Sequence, residues 1–241
     1  MLVRMVATGT CATDSHVRAQ RTATPLPVVP GHEGAGAAVA RLDGSTGLHV
    51  THGAEPHGHF FGQSSFATYA LTHQRKTIKV PVDLPLEVMA PLRCGLKTGA
   101  GAVLKALAVP VGASFAVFGV GAVGLAAVMA ARVAGAGTIV DVGRLELARE
   151  LGATHVVNPG QVEDLTGALR AIEARGLEYV LDTSGRTENL GALAPLGRFG
   201  FVAFHECAGR LTLDQSLQGI IQGDAVSSPL INDLAQLYRP A

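Results

Sequence analysis

The sequence predicts an α/β protein in two parts: a doubly wound parallel sheet with helices on both faces, preceded by a smaller, irregular, β-rich domain. Three observations predict it. Strand-like and helix-like runs alternate from about residue 91 onward, and a glycine-rich turn joins one of those strands to one of those helices. Residues 1 to about 90 carry only short β-like runs broken by Gly, Pro and His. The expected boundary divides the chain into 1–92 and 93–241.

Within the first part, "LVRMVA", "AGAAVARL", "SFATYALT" and "KTIKVP" are the β-like runs and predict an antiparallel arrangement. "PLRCGLKTGAGAVLKALA" then predicts a helix. After it come "SFAVFGV", "TIVDV", "THVVNP" and "LEYVLDTSG" as strands, alternating with "AVGLAAVMAARVAGA", "RLELARELGA" and "VEDLTGALRAIEARG" as helices. Parallel strands joined through helices need right-handed crossovers, which cover both faces of the sheet.

Composition narrows the partners. A chain of 241 residues with 48% hydrophobic content fills a sizeable core. Nineteen basic side chains balance nineteen acidic ones, which argues against a nucleic-acid or anionic-membrane surface and favours a small partner. The longest apolar stretch is broken by glycines and carries Arg132, so it reads as a strand and helix rather than a membrane span. "MLVRMVATGT" lacks the order of a secretory signal, so cytoplasm is the expected location. Three widely spaced cysteines, Cys11, Cys94 and Cys207, do not suit a disulfide framework.

"FAVFGVGAVGLAAVMAA" places Gly119, Gly121 and Gly124 in G-x-G-x-x-G spacing after a strand and at the start of a helix, with Val120 and Val123 between them. Gly119 allows the tight turn, Gly121 lets backbone approach a pyrophosphate, Gly124 permits close packing, and the helix N-terminus offers free N–H groups. The predicted ligand is a dinucleotide. Asp141, 17 residues past Gly124, is the expected acceptor for the ribose hydroxyls. A carboxylate there repels a 2′-phosphate and favours NAD over NADP, a preference that Arg144 weakens. The competing reading is a turn that serves packing only.

Cys11, His32 with Glu33 beside it, and Cys94 form a second constellation. Two sulfurs and one imidazole suit Zn²⁺, and three protein ligands leave a position open for water or substrate. Spacing alone does not assemble them: each cysteine also reads as a small buried residue, and His32 as a partner for a neighbouring carbonyl.

The stretches "VRMVATGTCATDSHV", "LPVVPGHEGAGAAV", "FFGQSSFATYAL", "PLRCGLKTGAGAVLKAL", "AVFGVGAVGLAAVMAA", "RLELARELGATHVVNP" and "YVLDTSG" cover well over half the chain. In that order they resemble zinc-dependent medium-chain alcohol dehydrogenases, and within them the benzyl-alcohol and aryl-alcohol dehydrogenases. The resemblance implies a Rossmann domain behind a GroES-like catalytic domain. It implies one catalytic zinc held by Cys11, His32 and Cys94, with Glu33 behind the metal and Asp14 orienting His32. It further implies Thr13 taking the alcohol proton, His16 passing it toward solvent, and Thr98 against the nicotinamide. The implied reaction is NAD-dependent oxidation of a primary, aromatic alcohol to its aldehyde, in a pocket for which Phe60, Phe61 and Leu96 are candidates.

The chain also departs from that family. No cysteine lies between Cys11 and Cys94, so the four-cysteine structural-zinc lobe is absent; His49, His52, His57 and His59 crowd the junction instead. Position 12 is Ala, where the family commonly places a His or Arg near the pyrophosphate. The expected leading strands and the C-terminal return are missing, which weakens the expected homo-oligomer. Two other readings therefore stay open: a shortened nucleotide-binding relative that no longer turns over, and a zinc-free oxidoreductase resembling quinone reductases.

Overall fold

The structure, a computed structural model, describes residues 1–40, 60–143, 146–202, 211 and 214–237. The first elements along the chain are β1 (Leu2–Gly9), α1 (Ala12–Arg18), β2 (Glu33–Ala40), β3 (Tyr69–Leu71) and α2 (Leu86–Met89). There follow α3 (Gly95–Gly101), β4 (Ser114–Phe118), α4 (Ala122–Val133), β5 (Thr138–Val142), α5 (Leu147–Leu151) and β6 (His155–Val157). The last are α6 (Leu165–Ile172), β7 (Leu177–Asp182), β8 (Leu193–Phe201), β9 (Ser216–Gly219) and α7 (Ser227–Leu237). They fall into two compact units, Met1–Cys94 with Ser227–Ala241, and Gly95–Val226.

The first unit holds an antiparallel sheet in the order β2-β1-β3. Val3, Ala70, Leu84, Met89, Leu92 and Ile231 are buried in it and border a hollow of about 660 Å³. The expected second domain ran on to residue 241, whereas Ser227–Ala241 groups with the first unit. The reason is the apolar face of α7, whose Leu230, Ile231 and Ala235 are buried. "KTIKVP" does not form a strand: residues 77–81 pair with no strand among the described residues. Its apolar residues Ile78 and Val80 line the hollow instead.

The second unit is a six-stranded parallel sheet in the order β6-β5-β4-β7-β8-β9. Numbered within the unit, that order is 3-2-1-4-5-6, with the switch point between β4 and β7, where such sheets bind ligands. The central strand β4 reads "SFAVF", and every residue of it is buried, as a strand covered on both faces requires. Small residues let helices approach closely: Gly124, Ala127 and Ala131 of α4 are buried, and a Cβ at Gly99 of α3 would strike the Val123 carbonyl. The segment expected as one helix over 91–108 is divided into a 3₁₀ turn at Ala90–Arg93, α3, and a π-helical turn at Ala102–Ala106. Among the described residues no helix is long and apolar enough to cross a membrane.

Candidate metal centre and nucleotide-binding loop

The opening of α1 is built by "CATD". Cys11 is the N-cap: its Sγ accepts from Thr13 N–H at 3.3 Å, while Asp14 Oδ2 accepts from Cys11 N–H at 3.1 Å. This reciprocal cap satisfies two of the helix's free donors and fixes the thiol's direction. Asp14 is buried, and its other oxygen accepts from Gly31 N–H at 3.2 Å and lies 3.4 Å from His32 Nδ1.

That contact turns the far edge of the imidazole toward sulfur, with His32 Nε2 3.4 Å from Cys11 Sγ. Gln63 anchors the backbone beside it, its Nε2 donating to the His32 carbonyl at 2.5 Å. Phe60 stands edge-on to the imidazole at 6.0 Å and Phe61 tilts against it at 5.1 Å. Glu33 begins β2 opposite Gly9 of β1, and a Cβ at Gly9 would overlap its carboxylate. Cys94 ends the Ala90–Arg93 turn, its N–H donating to the Pro91 carbonyl at 3.4 Å.

The ligand atoms of Cys11, His32, Glu33 and Cys94 all lie within 4.8 Å of one another. Tetrahedral zinc, with bonds of about 2.0 to 2.3 Å, sets its donors roughly 3.3 to 3.8 Å apart, so this soft and borderline donor set fits the ion. The electrostatics agree. The hydrogen bond from Cys94 holds the Cys11 thiol well below the ordinary thiol range, against burial and helped by His32 and the Thr13 N–H. That shared bond, with burial and the nearby Glu33 carboxylate, pushes Cys94 up. Burial disfavours a charged His32, but Cys11, Asp14 and Glu33 outweigh it and raise its pKa. A cluster in which negative charge accumulates around half-buried sulfur and a buried imidazole is one that a divalent cation would neutralise.

Thr13 and His16 lie on α1, both partly exposed, and Thr98 is buried on α3 in the second unit. The residues His49, His52, His57, His59 and Cys207, and Arg144, lie outside the described residues.

In the second unit, the loop after β4 has the backbone the glycines anticipate. Gly119 has φ +102°, and a Cβ there would collide with Thr183 Oγ1. A Cβ at Gly124 would collide with the Gly119 carbonyl, whereas one at Gly121, the N-cap of α4, would meet nothing within 4 Å. Packing explains the first and third glycines. Only the second faces open space, as a site for phosphate approach requires. Val120 and Val123 flank it in the loop and first turn. Asp141, on β5 opposite Val117, is fully buried, and among the described residues neither carboxylate oxygen has a hydrogen-bond partner. Burial raises its pKa to about 6. Two unused acceptors beside a glycine turn fit the vicinal hydroxyls of a ribose.

Gln63 is the site residue that sequence reading missed. Its signal is its place three residues after Phe60 within "FFGQSSF", a stretch matched as a whole without a role for that amide.

The family model described as alcohol dehydrogenase GroES-like domain matches residues 1–82, and that described as zinc-binding dehydrogenase matches residues 122–228. Geraniol dehydrogenase of Castellaniella defragrans is 32% identical over 302 residues, covering 99% of this chain and 80% of the relative. An alignment of that span over a chain of 241 residues means that this chain skips stretches which the relative has. An alcohol dehydrogenase zinc-binding domain protein from Burkholderia ambifaria superposes with a TM-score of 0.88 at 39% identity, over 98% of this chain and 80% of the other. Benzyl alcohol dehydrogenase from Acinetobacter calcoaceticus superposes with a TM-score of 0.86 at 34% identity, over 98% of this chain and 81% of the other.

Proposed function

The chain belongs to the zinc-type medium-chain alcohol dehydrogenase family, and from that premise we propose that it oxidises a primary, aromatic alcohol to the aldehyde with NAD. The observation that carries the proposal is the convergence of Cys11, His32, Glu33 and Cys94 to within 4.8 Å. Cys11, His32 and Cys94 would hold the zinc, and Glu33 would stand behind it. When bound, zinc supplies Lewis acidity that brings an alcohol's pKa toward neutrality, and the nicotinamide supplies the hydride acceptor.

The remaining work falls to the chain's own groups. Asp14, its Oδ1 3.4 Å from His32 Nδ1, would orient the imidazole by charge and favour the tautomer with hydrogen on Nδ1. Thr13, two residues past the first thiolate ligand, would take the hydroxyl proton, and His16 on the same short helix would hand it on. Phe60 and Phe61 would give the alcohol an aromatic wall beside His32, which supports the aromatic choice together with the likeness to a benzyl alcohol dehydrogenase. Gly119, Gly121 and Gly124, with the backbone of Val120 and Val123, would hold the pyrophosphate. Asp141 would take the ribose, and Thr98 would lie against the nicotinamide.

The deciding experiment measures zinc content and NADH formation from benzyl alcohol in the parent and in Cys94→Ser. The parent should carry one zinc and make NADH, and the variant should lose both. Equal activity in the two would remove the site assignment. A second reading, cofactor binding without turnover, is favoured by the stretches of the geraniol dehydrogenase relative that this chain skips. It is distinguished by NADH binding without alcohol-dependent NAD reduction.

A further inference from the structure

We infer that Val120 is a gate over Asp141, so that the closed loop withholds the ribose acceptor and admission of the cofactor requires the Val120 side chain to swing away. The inference rests on the proposed use of a nicotinamide dinucleotide, and it adds a residue that controls how strongly that cofactor is held.

Three placements carry it. Asp141 pairs in register with Val117, and a Cβ built at Gly124 of α4 lies 3.6 Å from Val117 Cγ2, so the carboxylate occupies the face of the sheet that α4 covers. A Cβ built at Gly143 would overlap Val120 Cγ1 and stand 3.0 Å from Asp141 Oδ2. The isopropyl group therefore fills the place that a side chain at residue 143 would take, directly beside the carboxylate. Val120 is partly exposed while Asp141 is 0% exposed, so the valine lies on the solvent side of the acid.

The neighbouring Asp182 shows what a purely structural acid looks like in this sheet. It is also 0% exposed, yet it accepts from Ser184 N–H at 3.0 Å, Ser184 Oγ at 2.6 Å, Gly185 N–H at 2.9 Å and Asn189 Nδ2 at 2.9 Å. Among the described residues Asp141 has no such donors. A buried carboxylate without donors is costly, and such a cost is sustained where a ligand supplies the missing hydrogen bonds. Ribose brings two hydroxyl donors, but the closed valine leaves them no path. Binding is then drawn from the open population, and the apparent dissociation constant is the intrinsic one divided by that fraction.

The test titrates NADH and reduced nicotinamide mononucleotide, which lacks the adenosine half, into the parent, Val120→Ala, Val120→Ile, Asp141→Asn and the Val120→Ala/Asp141→Asn double variant, with melting curves on each. For an open fraction of about one in ten, Val120→Ala should tighten NADH roughly tenfold, and Val120→Ile should weaken it. The mononucleotide should bind all five alike, and the alanine's gain should fall below about twofold in the Asp141→Asn background. NADH binding unchanged by Val120→Ala, or a gain that persists without the Asp141 carboxylate, overturns the gate while leaving the cofactor reading intact. Absence of NADH binding in every folded variant overturns the cofactor reading and the gate with it.

Discussion

One oxygen of Asp14 faces His32 Nδ1 at 3.4 Å while the other accepts the backbone N–H of Cys11 at 3.1 Å, so a single carboxylate sets the direction of two proposed metal ligands. The same group caps a helix and orients an imidazole, and the two roles separate by substitution. Asp14→Ala should lower stability by about 1 kcal/mol through the lost cap and weaken zinc binding about 10- to 100-fold. Asp14→Asn should keep most of the stability and still weaken zinc, because an amide caps but does not reinforce the imidazole's basicity. Melting temperature against chelator competition distinguishes the two; zinc affinity unchanged in both variants would detach Asp14 from the site.

Cys11 and Cys94 shift one another's thiols in opposite directions, Cys11 down and Cys94 up. The hydrogen bond from Cys94 keeps Cys11 ionised well below the ordinary thiol range and Cys94 protonated well above it. At pH 6, metal-free protein should therefore be alkylated by iodoacetamide at Cys11 at least about tenfold faster than at Cys94. Zinc should protect both. Peptide mass spectrometry reads the sites, and equal rates at the two sulfurs would contradict the opposite shifts.

Asp141 should make the cofactor-free protein less stable as pH rises. Its pKa is raised from 3.8 to about 6, so between these values the native state binds more protons than the unfolded state. The favourable contribution is complete below about pH 4, declines through the window, and is lost above 6, a change of about 3 kcal/mol at 1.36 kcal/mol per pKa unit. Asp141→Asn should flatten this slope and raise the melting temperature at pH 7.5. A parent whose stability is level or rises between pH 4 and 6.5, when compared with the variant, would contradict it.

Gly121 and Gly124 should respond oppositely to alanine. A Cβ at Gly121 meets nothing, so Gly121→Ala should leave stability within about 0.5 kcal/mol and weaken NADH binding at least tenfold by blocking the phosphate. Gly124→Ala drives a methyl into the Gly119 carbonyl and should cost more than about 2 kcal/mol whether or not cofactor is present. Melting curves and NADH titration separate them, and an unaffected NADH affinity in Gly121→Ala would remove the pyrophosphate from this loop.

The glycine loop was legible in the sequence because its chemistry is local: strand, turn and helix lie within one short run, and spacing alone locates the turn. The proposed metal ligands were not legible by spacing, since Cys11, His32 and Cys94 come from a helix cap, the residue before a strand and the end of a 3₁₀ turn; only the resemblance grouped them. The inward aim of Asp141 was hidden for another reason. In "TIVDV" every residue after Thr138 is buried, so no polar alternation marks which face the acid takes. Gln63 was hidden because its amide serves a backbone carbonyl 31 positions away, and carbonyls leave no trace in a sequence. "KTIKVP" misled because β-like composition reports a residue's fit to a pleated surface without supplying the neighbouring strand.

Gly9 holds no chemistry of its own, yet any larger residue there would evict the Glu33 carboxylate from across the ladder. Position 9 is thus a remote handle on the donor cluster: a mutational library confined to the four clustered side chains would overlook the neighbour whose bulk decides whether the carboxylate can join them.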